Sequence, residues 1–165
     1  MKNLKTYIQL FESDTSQQYS DFFNILSTKN FTNDEKLKNF KTLVNSDYSV
    51  NCTNAHSVSI LMSAIHHGNN VIVKFLIENG ADVNVQTDWN DTPLMWFAVV
   101  FTKYEDTTIL KYLLDAGATF DNTNVKKFLS QLNDPEKKVE NFIHNNYPEI
   151  YYKLMKSIKV NDFNL

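Results

Sequence analysis

The chain has no arginine; all 16 of its basic residues are lysine. It therefore lacks the planar fork that clamps phosphate and reads guanine bidentately. The formal net charge is −3, so nucleic acid is set aside as a partner. Cysteine is nearly absent as well. Cys52 stands alone, which excludes an intrachain disulfide and a zinc site built from cysteines. Glycine is almost as scarce, with three in 165 residues, and neither G-x-G-x-x-G nor the P-loop spacing occurs. Wherever glycine is used it has a backbone role. Long apolar runs are also missing. The longest ends at Phe101 and falls far short of the roughly 20 residues that span a bilayer, so a membrane is excluded.

What is present describes a globular domain. Hydrophobic residues make up 42% and charged residues 21%, outside the range of disordered chains. A chain of this length buries roughly 70% of its unfolded surface in one domain. Asn occurs 21 times, Phe 12 and Tyr 8; with Lys and Ile these have AT-rich codons, as in genes of low-GC bacteria, intracellular parasites and large viruses. The opening MKNLKTYIQLFESD has no continuous apolar core of a signal peptide, and a cytoplasmic location is expected.

All three glycines fall in two related segments. Ser59-Ile60-Leu61-Met62 aligns with Thr92-Pro93-Leu94-Met95 at an offset of 33. Lys74-Phe75-Leu76-Ile77-Glu78-Asn79-Gly80-Ala81 aligns with Lys111-Tyr112-Leu113-Leu114-Asp115-Ala116-Gly117-Ala118 at an offset of 37. The second copy therefore carries four extra residues near Phe101–Thr107. Going backward, Leu43, Val44, Val50 and Asn51 fit the same period, with Asp47 where Gly80 stands. Going forward, Val139–Asn146 resembles the end of a copy, with Asn146 in the glycine place. A period of about 33 residues, T-P-L-x-x-A and a later L-L-x-x-G-A make up the ankyrin pattern, and the chain resembles the ankyrin-repeat family.

The residues support the same helical units directly. Thr92 can cap a helix and Pro93 suits its first turn; Leu94, Phe97, Ala98 and Phe101 follow at helical spacing. Ile109, Leu110, Leu113 and Leu114 form the stripe of a second helix that Gly117 ends. Val71, Ile72, Phe75, Leu76 and Gly80 repeat this arrangement. Further helices are predicted at Leu4–Phe11, Tyr19–Leu26 and from Pro148 through Ile158. They are expected to cap the stack, one of them alternatively serving as a partner-binding extension. The expected fold is all-α: a single ankyrin-repeat solenoid over residues 1–165, with short hairpin fingers and flanking capping helices. Its parts are an N-terminal helical cap (1–30), a degenerate repeat (31–54), a repeat (55–87), a repeat with the interhelix insertion (88–124), and a degenerate repeat with a C-terminal helix (125–165).

No catalytic constellation emerges. Cys52 with His56 is the one nucleophile pair that can be drawn for a hydrolase, but no motif supplies a third orienting group. His66 and His67 are adjacent on a helix and cannot chelate as an i, i+4 pair does. They are either groove contacts or solvated residues favoured at a helix end. The aspartates lack the calcium-loop spacing. Asn51-Cys52-Thr53 matches a glycosylation sequon that means little without secretion. A non-enzymatic protein with no metal and no cofactor is expected.

The segment Val85–Asp91 lies between the two clear copies. A Trp at a loop tip either inserts into a partner or lies back over the neighbouring finger. Asn90 suggests a left-handed turn. The resemblance implies a protein-binding module whose variable positions map onto His56, Val58, His66 and His67 in one copy. In the next they map onto Asp88, Trp89, Asp91, Val99 and Val100, and the insertion adds Tyr104 and Glu105. The acidic balance favours a basic protein partner. Two roles suit such a protein, monomeric when unbound: an immunity or inhibitor protein masking a toxin or enzyme, and an effector engaging a host protein. Beside the four-residue interhelix insertion, one further departure from the family pattern stands out. Its T-P-L-H histidine is Met62 in one copy and Met95 in the other, which removes the usual bond between fingers.

Overall fold

A computed structural model describes residues 4–120, 122–132 and 134–161. Among them are nine helices and no strand: α1 (Leu4–Ser27), α2 (Asn33–Asn45), α3 (Ile60–His66), α4 (Asn70–Glu78), α5 (Pro93–Tyr104), α6 (Thr108–Asp115), α7 (Asn122–Gln131), α8 (Lys138–Asn146) and α9 (Pro148–Asn161). Helices α1, α3, α5 and α7 pack side by side as an inner row, and α2, α4 and α6 form an outer row behind them. At the C-terminal end the pattern changes: α8 packs on α9, and α9 returns onto α7. One core runs through the stack, with Phe22, Phe40, Phe97 and Phe128 fully buried along it.

The outer helices end alike because the same hydrogen bonds close each one. Gly80 (φ 85°) donates to Ile77 and Ala81 to Leu76; Gly117 (φ 88°) donates to Leu114 and Ala118 to Leu113. Asp47 stands in the glycine place of the degenerate copy and still adopts φ 64°, with Asp47 donating to Val44 and Tyr48 to Leu43. Asp tolerates this region better than most residues, so the motif survives without glycine. Asn146 does not repeat the device. Helix α8 includes it and stops at Tyr147, φ −137°.

Three other expectations are corrected. The two N-terminal helical stretches form one helix, since the polar residues between them include neither Gly nor Pro and lower helix propensity only slightly. The four extra residues mostly lengthen a helix: α5 has 12 residues against 7 in α3. Thr92 sits at the cap position of α5, but its side chain makes no capping bond. Caps do operate at Ser59, which accepts from the Met62 amide, at Asn69, which accepts from Ile72, and in a reciprocal box between Thr32 and Glu35.

Adjacent repeats are clamped by a recurring asparagine. Asn51 donates Nδ2 to Gly80 O (3.0 Å) and accepts from the Asp82 amide (2.8 Å). Asn84, one period on, donates to Gly117 O (3.0 Å) and accepts from the Thr119 amide (2.9 Å). The sequon asparagine is thus committed to holding the stack.

Candidate binding face

Two fingers precede the inner helices α3 and α5, and each is built the same way. In the first, Asn54 Oδ1 accepts from the His56 and Val58 amides, and Ser57 turns left-handed at φ 59°. In the second, Thr87 Oγ1 accepts from Trp89 and Asp91, and Asn90 turns left-handed at φ 58°. His56 and Trp89 therefore occupy equivalent tips. Their rings meet at 5.2 Å, yet Trp89 remains 56% exposed. It lies on the neighbouring finger, one of the two expectations for it, and still presents a face to solvent.

The acidic residues around that tip are engaged. Asp88 accepts from Ser57 Oγ (2.6 Å), sits 3.9 Å from His56 Nδ1, and its amide donates to His56 O. Asp91 pairs with Lys127 of α7, whose Nζ also reaches Trp89 O. Helix α7 begins where a third finger would follow, so the finger row ends at Trp89.

A second feature runs across the inner row. Tyr19 stacks on Phe23 (5.9 Å), Phe23 meets His67 (5.9 Å), His67 meets His66 (5.8 Å), and His66 meets Trp96 (5.8 Å). This chain of rings crosses α1, α3 and α5. Tyr19 and Ser63 hydroxyls bond at 2.8 Å beneath it, and His67 Nδ1 donates to Ser63 O. Val99, one turn beyond Trp96, is 54% exposed, and exposed Lys103 follows on the same face. Burial first, then His67 and Lys103, hold the His66 imidazole below its usual pKa, which keeps it neutral at pH 7.

Not every position mapped from the repeats reaches this face. Val58 and Val100 are 7% and 6% exposed and belong to the core. Tyr104 lies over Gly68, and Lys103 sits 4.8 Å above its ring. Glu105 turns left-handed (φ 50°) and pairs with Lys138 at 2.6 Å. Asp106 accepts from Asn70 at 2.8 Å. The inserted turn thus straps its own repeat to both neighbours. His56, His66, His67, Asp88, Trp89 and Val99 are at the surface, and Tyr104 and Glu105 are also exposed, on the inserted turn. Trp96, Phe23 and Lys103 were missed; the i, i+3, i+7 spacing of Trp96, Val99 and Lys103 was the available signal.

A family model described as ankyrin repeats, three copies, matches residues 29–126, more than half of the chain. The chain belongs to the ankyrin-repeat family. No curated protein matches it significantly. Ankyrin repeats are generally protein–protein interaction modules, and the family is generally non-enzymatic. Met62 and Met95, in the place of the ankyrin histidine, are buried. The fingers are tied instead by the Ser57–Asp88 bond and the His56–Trp89 contact. The Cys52/His56 pair gains nothing from the geometry. Cys52 is wholly buried, with its thiol pushed up to about 12 by burial, while His56 is exposed at a finger tip. A nucleophilic cysteine needs the opposite shift. Among the described residues no group of three or more His, Cys, Asp or Glu could hold a metal, and no helix is long and apolar enough to cross a membrane.

Proposed function

We propose that this ankyrin protein captures one protein partner between its inner helix row and its two fingers, and does no chemistry on it. The observation that carries this is the pairing of Val99 and Trp89, each more than half exposed, with the ring stripe from Phe23 to Trp96 between the helices. Apolar and aromatic side chains left in water on a rigid framework are the composition of interface hot spots. The rings are held by neighbours, so little side-chain entropy is lost on binding. Within this reading the protein works by masking, as an immunity or inhibitor protein would; an effector engaging a host protein would use the same face. Within this reading it is a monomer when unbound.

The test is affinity capture from native cytosol with wild type and Trp89→Ala. Loss of a hot-spot Trp weakens capture by about 2 kcal/mol while the helical circular dichroism stays unchanged. A partner held equally by both would remove Trp89 from the site.

A further inference from the structure

We infer that Asn79-Gly80 is a site of spontaneous deamidation, shut in the folded stack and opened when the clamp on the end of α4 lets go. The three glycines follow His67, Asn79 and Ala116, so the chain has a single Asn-Gly pair. In a flexible chain the backbone nitrogen that follows an asparagine attacks the side-chain Cγ. Glycine in the following place favours this, because it has no Cβ to obstruct the approach. The new N–Cγ bond closes a five-membered imide, the Cγ–Nδ2 bond breaks, and Nδ2 leaves as ammonia with the proton shed by the amide. Water then opens the imide at either carbonyl, giving aspartate or isoaspartate with no change of oxidation state. Asn79 and Gly80 are both exposed, so that water reaches them.

The closed helix end blocks the first step in three ways. Asn79 has ψ 18°, which sets the Gly80 nitrogen beside the backbone nitrogen of Asn79 and turns it away from the side chain. Gly80 N–H donates to Ile77 O at 3.0 Å, which holds the proton that must leave. Asn79 Nδ2 donates to Phe75 O at 2.8 Å, which draws the side chain back along α4. Asn51 keeps this end closed from the preceding copy by donating Nδ2 to Gly80 O at 3.0 Å. The native rate is then the flexible-chain rate multiplied by the fraction of molecules in which this end is open. The fold itself does not require the asparagine. Ala116 takes its place in the next copy, where Gly117 still donates to Leu114 and Ala118 to Leu113.

The product does not fit the closed end. A carboxylate at this position loses the bond to Phe75 O and faces the negative pole of α4. Isoaspartate adds a carbon to the backbone before Gly80 and moves Gly80 O off Asn51. A chain converted here cannot rebuild the same seam, so the change records irreversibly that the stack has opened.

The experiment is incubation of the full chain at pH 8 with and without denaturing urea. Conversion is followed by ammonia release and by mapping aspartate and isoaspartate to their residues by mass spectrometry. In urea Asn79 should convert before any other asparagine, and in the folded protein at least about tenfold more slowly. Asn51→Ala should raise the folded-state rate at least about threefold and leave the rate in urea unchanged. Prior conversion of another asparagine in urea would overturn the site. Folded-state conversion as fast as that in urea would overturn the protection, and an unchanged folded-state rate in Asn51→Ala would overturn the gate. Wild type in urea below its unfolding transition guards against a folding defect in the variant. There the rate should rise before the helical circular dichroism falls, and a rate that stays flat up to the transition would overturn local opening.

Discussion

Gly68 couples backbone conformation to the inserted turn, and a double-mutant cycle with Tyr104 measures that coupling. Gly68 has φ 62°, and a Cβ there would lie 2.5 Å from Tyr104 Cζ and within 2.8 Å of both Cε atoms. Gly80 and Gly117 also have positive φ but face open space. An L-residue in the left-handed region costs about 1–2 kcal/mol, offset by about 0.4–1 kcal/mol from a less flexible unfolded chain. Gly80→Ala and Gly117→Ala should therefore destabilise by about 1 kcal/mol. Gly68→Ala must in addition push the Tyr104 ring off its seat. Re-exposing about 60 Å² of ring adds about 1.5 kcal/mol at 25 cal/mol/Å², for a total of about 2–3 kcal/mol. In the Tyr104→Ala background the ring is gone, and Gly68→Ala should again cost about 1 kcal/mol. Urea unfolding followed by circular dichroism gives the four stabilities. A coupling energy near 1.5 kcal/mol is expected. Additivity within about 0.5 kcal/mol would show that the ring does not hold the turn, and the strap would then be wrong.

Three further expectations follow from the same structure. Asn84→Ala removes hydrogen bonds to Gly117 and Thr119 and should lower stability by about 1 kcal/mol, read by urea unfolding; no change would mean that water replaces the clamp. Acid should loosen the inserted turn, its strap to α8 and the end of α6. Hydrogen bonds from Lys138 to Glu105, from Thr108 to Asp106 and from Lys111 to Asp115 hold these carboxyls below their usual pKa. Their stabilisation is fully present above the unfolded-state values near pH 4 and is lost as pH falls through the lower folded values. Thermal melts between pH 5 and 3 should show this, with a flatter profile in Asp106→Asn; an identical profile would remove Asp106 from the effect. Cys52 should resist a thiol-reactive probe in the native state at pH 7.5 and react on unfolding, because its thiol is buried and pushed up to about 12. Rapid native labelling would reopen the question of a reactive cysteine.

Most of the stack was legible because each unit repeats its own chemistry at one offset. The paired apolar stripes, Gly80 and Gly117 at helix ends, and the left-handed Asn90 all depend on local sequence. So does the Thr32–Glu35 capping box, which stood in the T-x-x-E spacing but was not singled out. Asp47 shows the limit of residue identity: the helix end demands a left-handed residue, and the surrounding hydrogen bonds impose it on an aspartate. Contacts between repeats were harder to see. Asp91 meets Lys127 and Glu105 meets Lys138 across more than 30 residues, and nothing local marks either pair. Asp91 and Glu105 therefore map as contact positions from the repeat pattern although each is paired with a lysine of the stack. Val58 and Val100 point inward because each continues the buried side of its segment, a register that a repeat alignment alone does not fix. Trp96 escaped attention because it sits inside an apolar run, where one exposed face is hidden among buried neighbours.

Partners are expected to bind the inner row and fingers and not the outer helices. The direct test is capture from cytosol by four proteins of verified fold: wild type, Val99→Asp and Trp89→Ala on the proposed face, and Val71→Asp on outer helix α4, where Val71 is also exposed. The expected result is a partner retained by wild type and Val71→Asp and lost or strongly reduced with Val99→Asp and Trp89→Ala. Retention by Val99→Asp with loss in Val71→Asp would place the partner on the opposite side of the stack and contradict it.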